Sequence, residues 1–305
     1  MAMARENQAN PQSLKFRQAS VEMLTDFLTN LNEKNKDNLR SLSTCSGVFK
    51  EKIIFEYTLL MCQELRLDPP TAYHAVELLQ RFMVMHITNL LTPGGASPLE
   101  TRAREDAAFQ QLQGKFALIV FSCVQLASKL SLHSQIVDIN MGVRFLRSVG
   151  LDFSKEAVLE SELTVLKGLE FQLDYPNPLT YVEILLEVLG HNEPSAPVER
   201  LHHLCRHVLQ FVSLQRNTLY NALLAITTQT RNPTAEQREK FVAVTEDCML
   251  LGVGVIAAAA FILHVKDWEQ VVKELSHITG ISTASIGDFT RVTLMLIVGT
   301  PADGQ

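Results

Sequence analysis

Two charged residues, Lys129 at the end of an apolar helical pattern and Glu162 in a later amphipathic one, are the side chains best placed for recognition chemistry. Lys129 ends the segment Phe116–Lys129 (FALIVFSCVQLASK), which is apolar on nearly every face. Such a helix must lie inside a bundle, because none of its faces tolerates water. Glu162 is predicted on the exposed face of the helix that opens Val158–Leu186. By spacing alone, Lys129 is also explained as a helix-terminal lysine favoured by the helix dipole.

No pattern for metal, cofactor or covalent chemistry is evident in the sequence. His203 and His207 lie one turn apart on a predicted helix, a spacing that zinc can use, but no second ligand pair accompanies them. An ordinary helix surface with exposed histidines is therefore favoured. The chain has no glycine-rich phosphate loop, HExxH motif or nucleophile elbow, and the GVGV at 252–255 lies within a helical pattern. We therefore predict no cofactor, no metal site and no enzymatic activity.

Composition narrows the class of protein further. The 305 residues suggest roughly two domains, and 27 basic against 33 acidic residues give a net charge of -6, which disfavours direct binding to nucleic acid. Five cysteines lie far apart without a CxxC pair, as in reduced intracellular proteins. The N-terminus lacks a signal-peptide core. The longest apolar run, Met249–Val265, is shorter than a membrane span and is predicted to be buried. These features predict a soluble nuclear or cytoplasmic protein without membrane contact.

Apolar spacings of three and four recur from end to end of the chain and predict an all-α fold. Residues 1–13 are expected to be disordered, and Ser20 is expected to cap a short helix that places Leu24, Phe27, Leu28 and Leu31 on one face. A polar linker, Asn32–Ser46, should follow that helix. The segment Pro93–Glu105 is predicted to be a mobile loop. The other predicted elements are helices at Phe49–Leu65, Pro69 to about Thr92, Lys115–Leu130, Asp138–Val149 and Lys155–Leu169, and an extended strap at Phe171–Pro178.

The helical pattern starts again in the second half of the chain. The predicted helices there are Tyr181–Leu189, Val198–Leu214, Leu219–Thr228, Glu236–Val265, Trp268–Thr279 and Ser285–Val298. The apolar helix at 116–130 has a counterpart in Leu251–His264, and FLRSVGLDFS at 145–154 has one in ELSHITGIS at 274–282. Both pairs lie about 130 residues apart, which favours two copies of one five-helix unit. The predicted organisation is a 1–46 tail with its short helix, units at 47–176 and 177–299, with the mobile insertion 93–105 in the first, and a 300–305 tail.

The order and spacing of LASK at Leu126–Lys129 and ELTVLKGLEFQL at Glu162–Leu173 resemble the cyclin family. The resemblance covers Ile53–Gly190 well and Ser195–Val298 more loosely. It implies a cyclin fold of two tandem five-helix boxes that binds a cyclin-dependent kinase and has no catalysis of its own. Such a protein pushes the kinase C-helix inward and completes a Lys–Glu ion pair at the ATP site.

Within the cyclins, the diverged first box and its PGGASP insertion resemble proteins implicated in meiotic crossover maturation. That likeness implies a nuclear protein, with the cytoplasm as a second location, and meiotic recombination proteins as further partners.

The resemblance also implies a kinase-binding interface. Lys129 matches the lysine that binds near the kinase C-helix, and Glu162 matches its acidic companion. The matching apolar contacts are Leu126, Leu130, Leu166, Phe171 and Leu173. Kinase-activating cyclins usually continue after the lysine with an aromatic residue and two acids, whereas this chain continues with Leu130, Ser131, Leu132 and His133.

A second departure concerns the patch through which cell-cycle cyclins dock substrates. The aligned positions are Lys50, Glu51, Lys52, Ile53 and Ile54, with Tyr57 where a tryptophan is usual. Charged residues cannot form an apolar cleft, so we predict that this kind of docking is absent.

Three functions remain in competition. The first is a regulatory subunit of a cyclin-dependent kinase. The second is a scaffold on a cyclin fold that recruits recombination or ubiquitin-ligase factors without activating a kinase, which the missing acids favour. The third, use of tandem cyclin boxes on DNA, is weakened by the negative net charge.

Overall fold

The computed structural model describes residues 15–43, 45–91, 98–131, 135–264 and 268–299, with the side chains of 89–91 and 98–111 left aside. All regular structure in this part of the chain is helical, as predicted. The first six α-helices are α1 (Val21–Arg40), α2 (Lys52–Glu64), α3 (Pro69–Leu91), α4 (Pro98–Leu130), α5 (Ile139–Ser148) and α6 (Lys155–Gly168). The others are α7 (Pro178–Asn192), α8 (Val198–Leu214), α9 (Arg216–Thr228), α10 (Ala235–Thr245), α11 (Cys248–Ile262), α12 (Trp268–Thr279) and α13 (Thr283–Val298).

Two apolar helices form the centres of two hydrophobic cores. In α4, Phe121, Cys123 and Val124 are fully buried, and α2, α3 and α6 pack around the helix. In α11, every residue from 252 to 260 is buried, and α7, α8, α12 and α13 surround it. The predicted burial of both apolar segments is confirmed over these residues. The boundaries 47–176 and 177–299 stay a prediction.

The first helix is longer than predicted, because α1 continues to Arg40 through the proposed polar linker. The polar side chains of its second half make tertiary contacts. The buried amide of Asn35 donates to Asp247 Oδ1 at 2.9 Å and accepts from the Cys248 backbone N–H at 3.0 Å. Asn38 Nδ2 donates to the Glu246 carbonyl at 3.1 Å. These contacts fix α1 against the start of α11, which explains why a polar sequence stays helical there.

The prediction of a mobile loop at Pro93–Glu105 is wrong for its second part. Helix α4 begins at Pro98, so residues 98–105 are helical. Proline suits the first turn of a helix, and the leucine, glutamate, arginine and alanine residues that follow are good helix formers. Residues 93–97 lie outside the described residues.

The predicted single helix Glu236–Val265 is also wrong, because the chain bends by 72° between α10 and α11. Asp247 starts α11 by accepting from the Leu250 N–H at 3.0 Å. Glu246 points into the protein and pairs with Lys50 and Arg216. Among the described helices, none is by itself long and apolar enough to cross a membrane; α10 and α11 meet that criterion only when taken as a pair.

The segment before α1 is fixed on the second half of the molecule. The Glu187 carboxylate accepts from the backbone N–H groups of Arg17, Gln18 and Ala19 at 2.7, 2.9 and 3.2 Å. The Arg17 guanidinium donates to the carbonyls that turn the chain from α7 into α8, at Gly190, Pro194 and Ala196. Residues 1–13, predicted to be disordered, lie outside the described residues.

Candidate functional site

The charged pair singled out in the sequence is formed within this chain. Lys129 lies in the last turn of α4, and its Nζ donates to Oε1 of Glu162 on α6. The lysine side chain is 38% exposed and the glutamate side chain 11% exposed. One donor of the ammonium is therefore committed to Glu162, while more than a third of the lysine side chain stays exposed.

The prediction that Glu162 occupies the exposed face of its helix is wrong. The buried positions of α6 are Val158, Glu162 and Val165, whose spacings of four and three form one face. That face packs on α4, so the carboxylate lies at the edge of the helix interface. Glu162 thereby binds the Lys129 ammonium from the buried side of the pair.

The predicted apolar contacts divide into exposed and buried residues. Phe171 is 65% exposed and Leu130 is 43% exposed, as a binding surface requires. Leu166 and Leu173 are half-buried against the core around α4. Leu126 is only 3% exposed and belongs to that core, so its assignment as a surface contact is wrong. Leu126 therefore contributes to the core beneath this surface.

Helix α6 carries two exposed leucines that sequence comparison missed. Leu159 is 48% exposed and Leu163 is 45% exposed. They are four residues apart and lie beside Glu162 on the same flank as Leu166. Their spacing was visible in the sequence, but only the packing of α6 on α4 shows which flank faces outward. We call this set the α4–α6 surface: Lys129, Leu130, Leu159, Glu162, Leu163, Leu166 and Phe171.

The turn after α6 places Phe171 on this surface. Glu170 and Phe171 have positive φ angles of 51° and 59°, and the Phe171 N–H donates to the Leu166 carbonyl at 2.9 Å. The predicted extended strap therefore starts with a left-handed turn. This turn ends α6 and directs the phenylalanine ring outward.

Side chains of helix α3 contact the extended strap at Phe171–Pro178. His74 Nε2 lies 3.1 Å from the Leu173 carbonyl, and Arg81 donates to the Gln172 carbonyl at 3.0 Å. The Arg81 guanidinium also lies over the Tyr175 ring, 3.9 Å from its centre. Burial lowers the pKa of His74, although the Leu173 carbonyl acts in the opposite direction. The histidine is thus neutral near pH 7, with its proton on Nε2 as donor to Leu173.

The chain that leaves α4 is fastened close to Lys129. Ser128 Oγ donates to the Gln125 carbonyl at 2.7 Å and accepts from the Val137 N–H at 3.1 Å. Ile136, next to this anchor, is 58% exposed. Of the four residues that replace the usual aromatic and acidic positions, Leu132 and His133 lie outside the described residues.

The region aligned with the substrate-docking patch differs from expectation at Lys50. This lysine is 11% exposed and turns inward, with Nζ 2.8 Å from Glu77 Oε1 and 3.1 Å from Glu246 Oε2. It therefore places no charge on the surface, contrary to our argument from its type. Ile53 and Tyr57 remain 77% and 36% exposed. The absence of substrate docking stays a prediction, now supported by Glu51 and Lys52 alone.

Two other places in the molecule combine groups that a ligand could use. His203 and His207 are exposed with ring centres 5.0 Å apart, and within the described residues no three potential ligands are placed to hold a metal ion. A cavity of about 350 Å³ lies on the opposite flank of α6 from Leu159, lined mainly by apolar groups that include Phe82, Phe153 and Ala157. Neither place includes residues of the α4–α6 surface.

Comparison with known proteins agrees with this geometry. The family model for the cyclin N-terminal domain matches residues 25–174, which include all of the α4–α6 surface. Cyclin N-terminal domain-containing protein 1 of Homo sapiens is 40% identical over 304 residues, covering 99% of this chain and 92% of the relative. The mouse (Mus musculus) protein of the same name is 38% identical over 301 residues, covering 97% of this chain and 89% of the relative. The resemblance to cyclins and the all-α cyclin fold are thereby confirmed, and the chain belongs to the cyclin N-terminal domain family.

Proposed function

We infer that this chain is a non-catalytic regulatory subunit that binds a cyclin-dependent kinase through the α4–α6 surface. The observation that carries the proposal is the Lys129–Glu162 pair, with exposed Leu130 and Leu163 next to it in sequence and exposed Phe171 at the end of α6. Protein interfaces gain most of their affinity from a few apolar anchors, while charged groups fix register and orientation. This surface contains both kinds of group.

The geometry assigns separate tasks to the two charges. A lysine ammonium has three N–H donors, and Glu162 accepts from one of them. The remaining donors of Lys129 are available to carbonyl groups of a partner. In the unbound chain, Glu162 holds the ammonium at this surface.

In this proposal the chemistry belongs to the kinase. The partner's C-helix packs on the leucines of α6 and on Phe171, which moves it into the position that completes the kinase Lys–Glu pair. The meiotic part of the proposal, action in crossover maturation within the nucleus, is supported by the resemblance of the first box to meiotic cyclins.

The experiment is a binding measurement with a panel of purified cyclin-dependent kinases. The double variant Lys129→Glu with Glu162→Lys keeps an ion pair possible but reverses the charge offered to the partner. The matched control exchanges Glu236 and Lys240, an exposed pair on α10. We expect loss of kinase binding for the first variant and wild-type binding for the control. Equal binding by the wild type and the 129/162 variant would contradict the proposed interface.

A second candidate is a scaffold that uses the same surface without activating a kinase. One observation favours it: Leu130 and Ser131 stand where kinase-activating cyclins carry an aromatic residue and an acid. The purified pair of this chain and a bound kinase distinguishes the two functions. Stimulated histone phosphorylation would support the regulatory subunit, whereas binding without stimulation would support the scaffold.

A further inference from the structure

The side chain of Gln125 is a buried polar group without a hydrogen-bond partner among the residues that the structure describes. It lies in α4 and is fully buried, and neither its amide nitrogen nor its amide oxygen is hydrogen bonded within the described residues. Buried polar groups in native proteins are nearly always paired, so an orphaned amide calls for an explanation. A leucine would fill a similar volume without an unpaired donor and acceptor.

The position of Gln125 on α4 places it at the interface with α6. Ser122, Gln125 and Lys129 are separated by three and four residues and share one helix face. The hydroxyls of Ser122 and Ser161 lie 2.7 Å apart, and Lys129 binds Glu162, so both neighbours of Gln125 on this face contact α6. A long helical side chain leans back over the turn before its own Cα. Lys129 therefore brings the Glu162 carboxylate toward the turn that carries Gln125.

The ion pair opposes any partner that draws the Lys129 ammonium away from Glu162. The ammonium of Lys129 is the one hydrogen-bond donor to the Glu162 carboxylate among the described residues. If Lys129 turns outward to a partner, Glu162 is left as a largely buried charge without a donor, which is strongly unfavourable. The partner would then have to overcome that loss before it gained the contact with Lys129.

We propose that Gln125 is a positioning residue that frees Lys129 for its partner. When a kinase engages the ammonium of Lys129, the Gln125 amide N–H donates to the Glu162 carboxylate and replaces the lost donor. The Glu162 carboxylate keeps a donor and its position, and Lys129 turns outward without leaving a buried charge unpaired. This inference rests on the proposed kinase-binding function, because it concerns how the same surface responds to its partner.

The test is a double-mutant cycle in kinase binding with the full chain, using purified kinases from the panel. Gln125→Leu removes the amide, and Gln125→Met repeats the change with a more adaptable side chain in case leucine packs poorly. We expect either variant to raise the Kd by on the order of tenfold, a coupling typical of residues in one network. The melting temperature should stay the same or rise, because an unpaired buried amide has been removed.

The second half of the cycle repeats these variants in a Glu162→Gln background. A neutral side chain at 162 does not need a replacement donor, so Gln125→Leu should leave the Kd of that background nearly unchanged. If Gln125→Leu leaves the wild-type Kd unchanged, or raises it by the same factor in both backgrounds, the role of Gln125 is structural only and the proposal is overturned. If the wild type itself binds no kinase of the panel, the proposed function fails, and this inference fails with it for that separate reason.

Discussion

Lys50 and Glu246 come from opposite halves of the chain and form a buried ion pair, with 3.1 Å between Nζ and Oε2. Glu77 of α3 lies 2.8 Å from the same lysine, and Arg216 at the start of α9 lies 2.6 Å from the other oxygen of Glu246. All four side chains are at most 12% exposed. The cluster is electrically balanced and connects the two hydrophobic cores.

The charges in this cluster depend strongly on one another. Burial alone would raise the pKa of Glu246, but the charges of Lys50 and Arg216 outweigh it and lower that pKa. Burial alone would likewise lower the pKa of Lys50, but Glu246 and Glu77 raise it. Lys50 and Glu246 are therefore ionised near neutral pH, and removing one of them leaves a buried charge without its partner.

We predict that Lys50→Met lowers the free energy of unfolding by about 3–5 kcal/mol, the usual effect of breaking a buried ion pair from one side. Urea unfolding followed by circular dichroism measures the change. Lys52→Met is the matched control, because Lys52 is exposed and its replacement should change stability by less than about 0.5 kcal/mol. Equal unfolding midpoints for the two variants would show that the cluster does not join the cores as argued.

The close packing of Gly47 against the same cluster gives a second prediction. Its φ is +81°, and a Cβ atom there would lie 2.6 Å from Glu246 Oε1. Gly150 has nearly the same φ, +82°, but a Cβ atom there would have no neighbour within 4 Å. Gly150→Ala should therefore lose only about 1–2 kcal/mol for the left-handed backbone. Gly47→Ala should lose at least about 1 kcal/mol more, because it also displaces a buried carboxylate.

Thermal unfolding of both glycine variants measures this difference directly. Since the backbone term is common to the two substitutions, the comparison isolates the contact with Glu246. A Gly47→Ala variant as stable as Gly150→Ala would mean that the carboxylate has room to move.

The ends of helices were predictable from the sequence because they depend on hydrogen bonds between residues that are close in sequence. Ser20, Asp138 and Ser154 each accept a hydrogen bond from the backbone N–H three residues later, as helix caps do, and Ser20 is the residue predicted in that role. Gly150 has the positive φ typical of a glycine that follows a helix. These positions depend on neighbours within one turn, which the sequence shows directly.

The errors arose where contacts distant in sequence decide the outcome. The polar residues Asn35 and Asn38 suggested a linker, yet their partners lie at the start of α11. Glu246 gave no helix-breaking signal, because its partners Lys50 and Arg216 come from other elements. Sequence spacing does not reveal such pairings, so the linker and the break in the second half were missed.

At the candidate site, family resemblance placed Lys129 and Glu162 on one kinase-binding interface, which stays a prediction, and the structure shows that the two side chains are hydrogen bonded to each other. The orientation of α6 was not predictable. A glutamate between Val158 and Val165 suggested an exposed face, but that face packs on α4 and the exposed flank carries Leu159 and Leu163 instead.

His74 gives the chain a pH-dependent stability. Because burial lowers its pKa below the ordinary 6.5, the unfolded state binds a proton there before the folded state does. Its contribution therefore makes the folded state less stable as the pH falls below about 6.5, and the loss levels off below the folded-state pKa. His74→Gln keeps an N–H donor for the Leu173 carbonyl and cannot titrate. We expect its free energy of unfolding to change less between pH 7.5 and pH 5 than that of the wild type.

Urea unfolding of both proteins at a series of pH values measures this difference. His86, whose pKa is also lowered by burial, is present in both proteins and so cancels in the comparison. If the free energies of unfolding of the two proteins changed with pH in parallel, His74 would not be kept neutral by its burial in the folded state.

The exposed leucines of α6 give a prediction that tests the proposed kinase interface directly. Leu163 is 45% exposed and adjoins Glu162, so Leu163→Glu should leave folding intact while placing an anion on the α4–α6 surface. If a kinase helix packs there, a buried like charge beside Glu162 should weaken binding by about 2 kcal/mol, or roughly thirtyfold in Kd. Val298→Glu, at the 74% exposed end of α13, is the control with the same change of residue class.

Isothermal titration calorimetry of the wild type, Leu163→Glu and Val298→Glu with the same kinases tests this prediction. A loss confined to Leu163→Glu would place the partner on the outward flank of α6, because the control introduces the same charge far along the chain. Loss with both variants would indicate a general effect of negative charge, and retention with both would exclude Leu163 from the interface. Since Leu163 was not among the residues implied by resemblance, a specific loss would extend the contact surface beyond the family pattern.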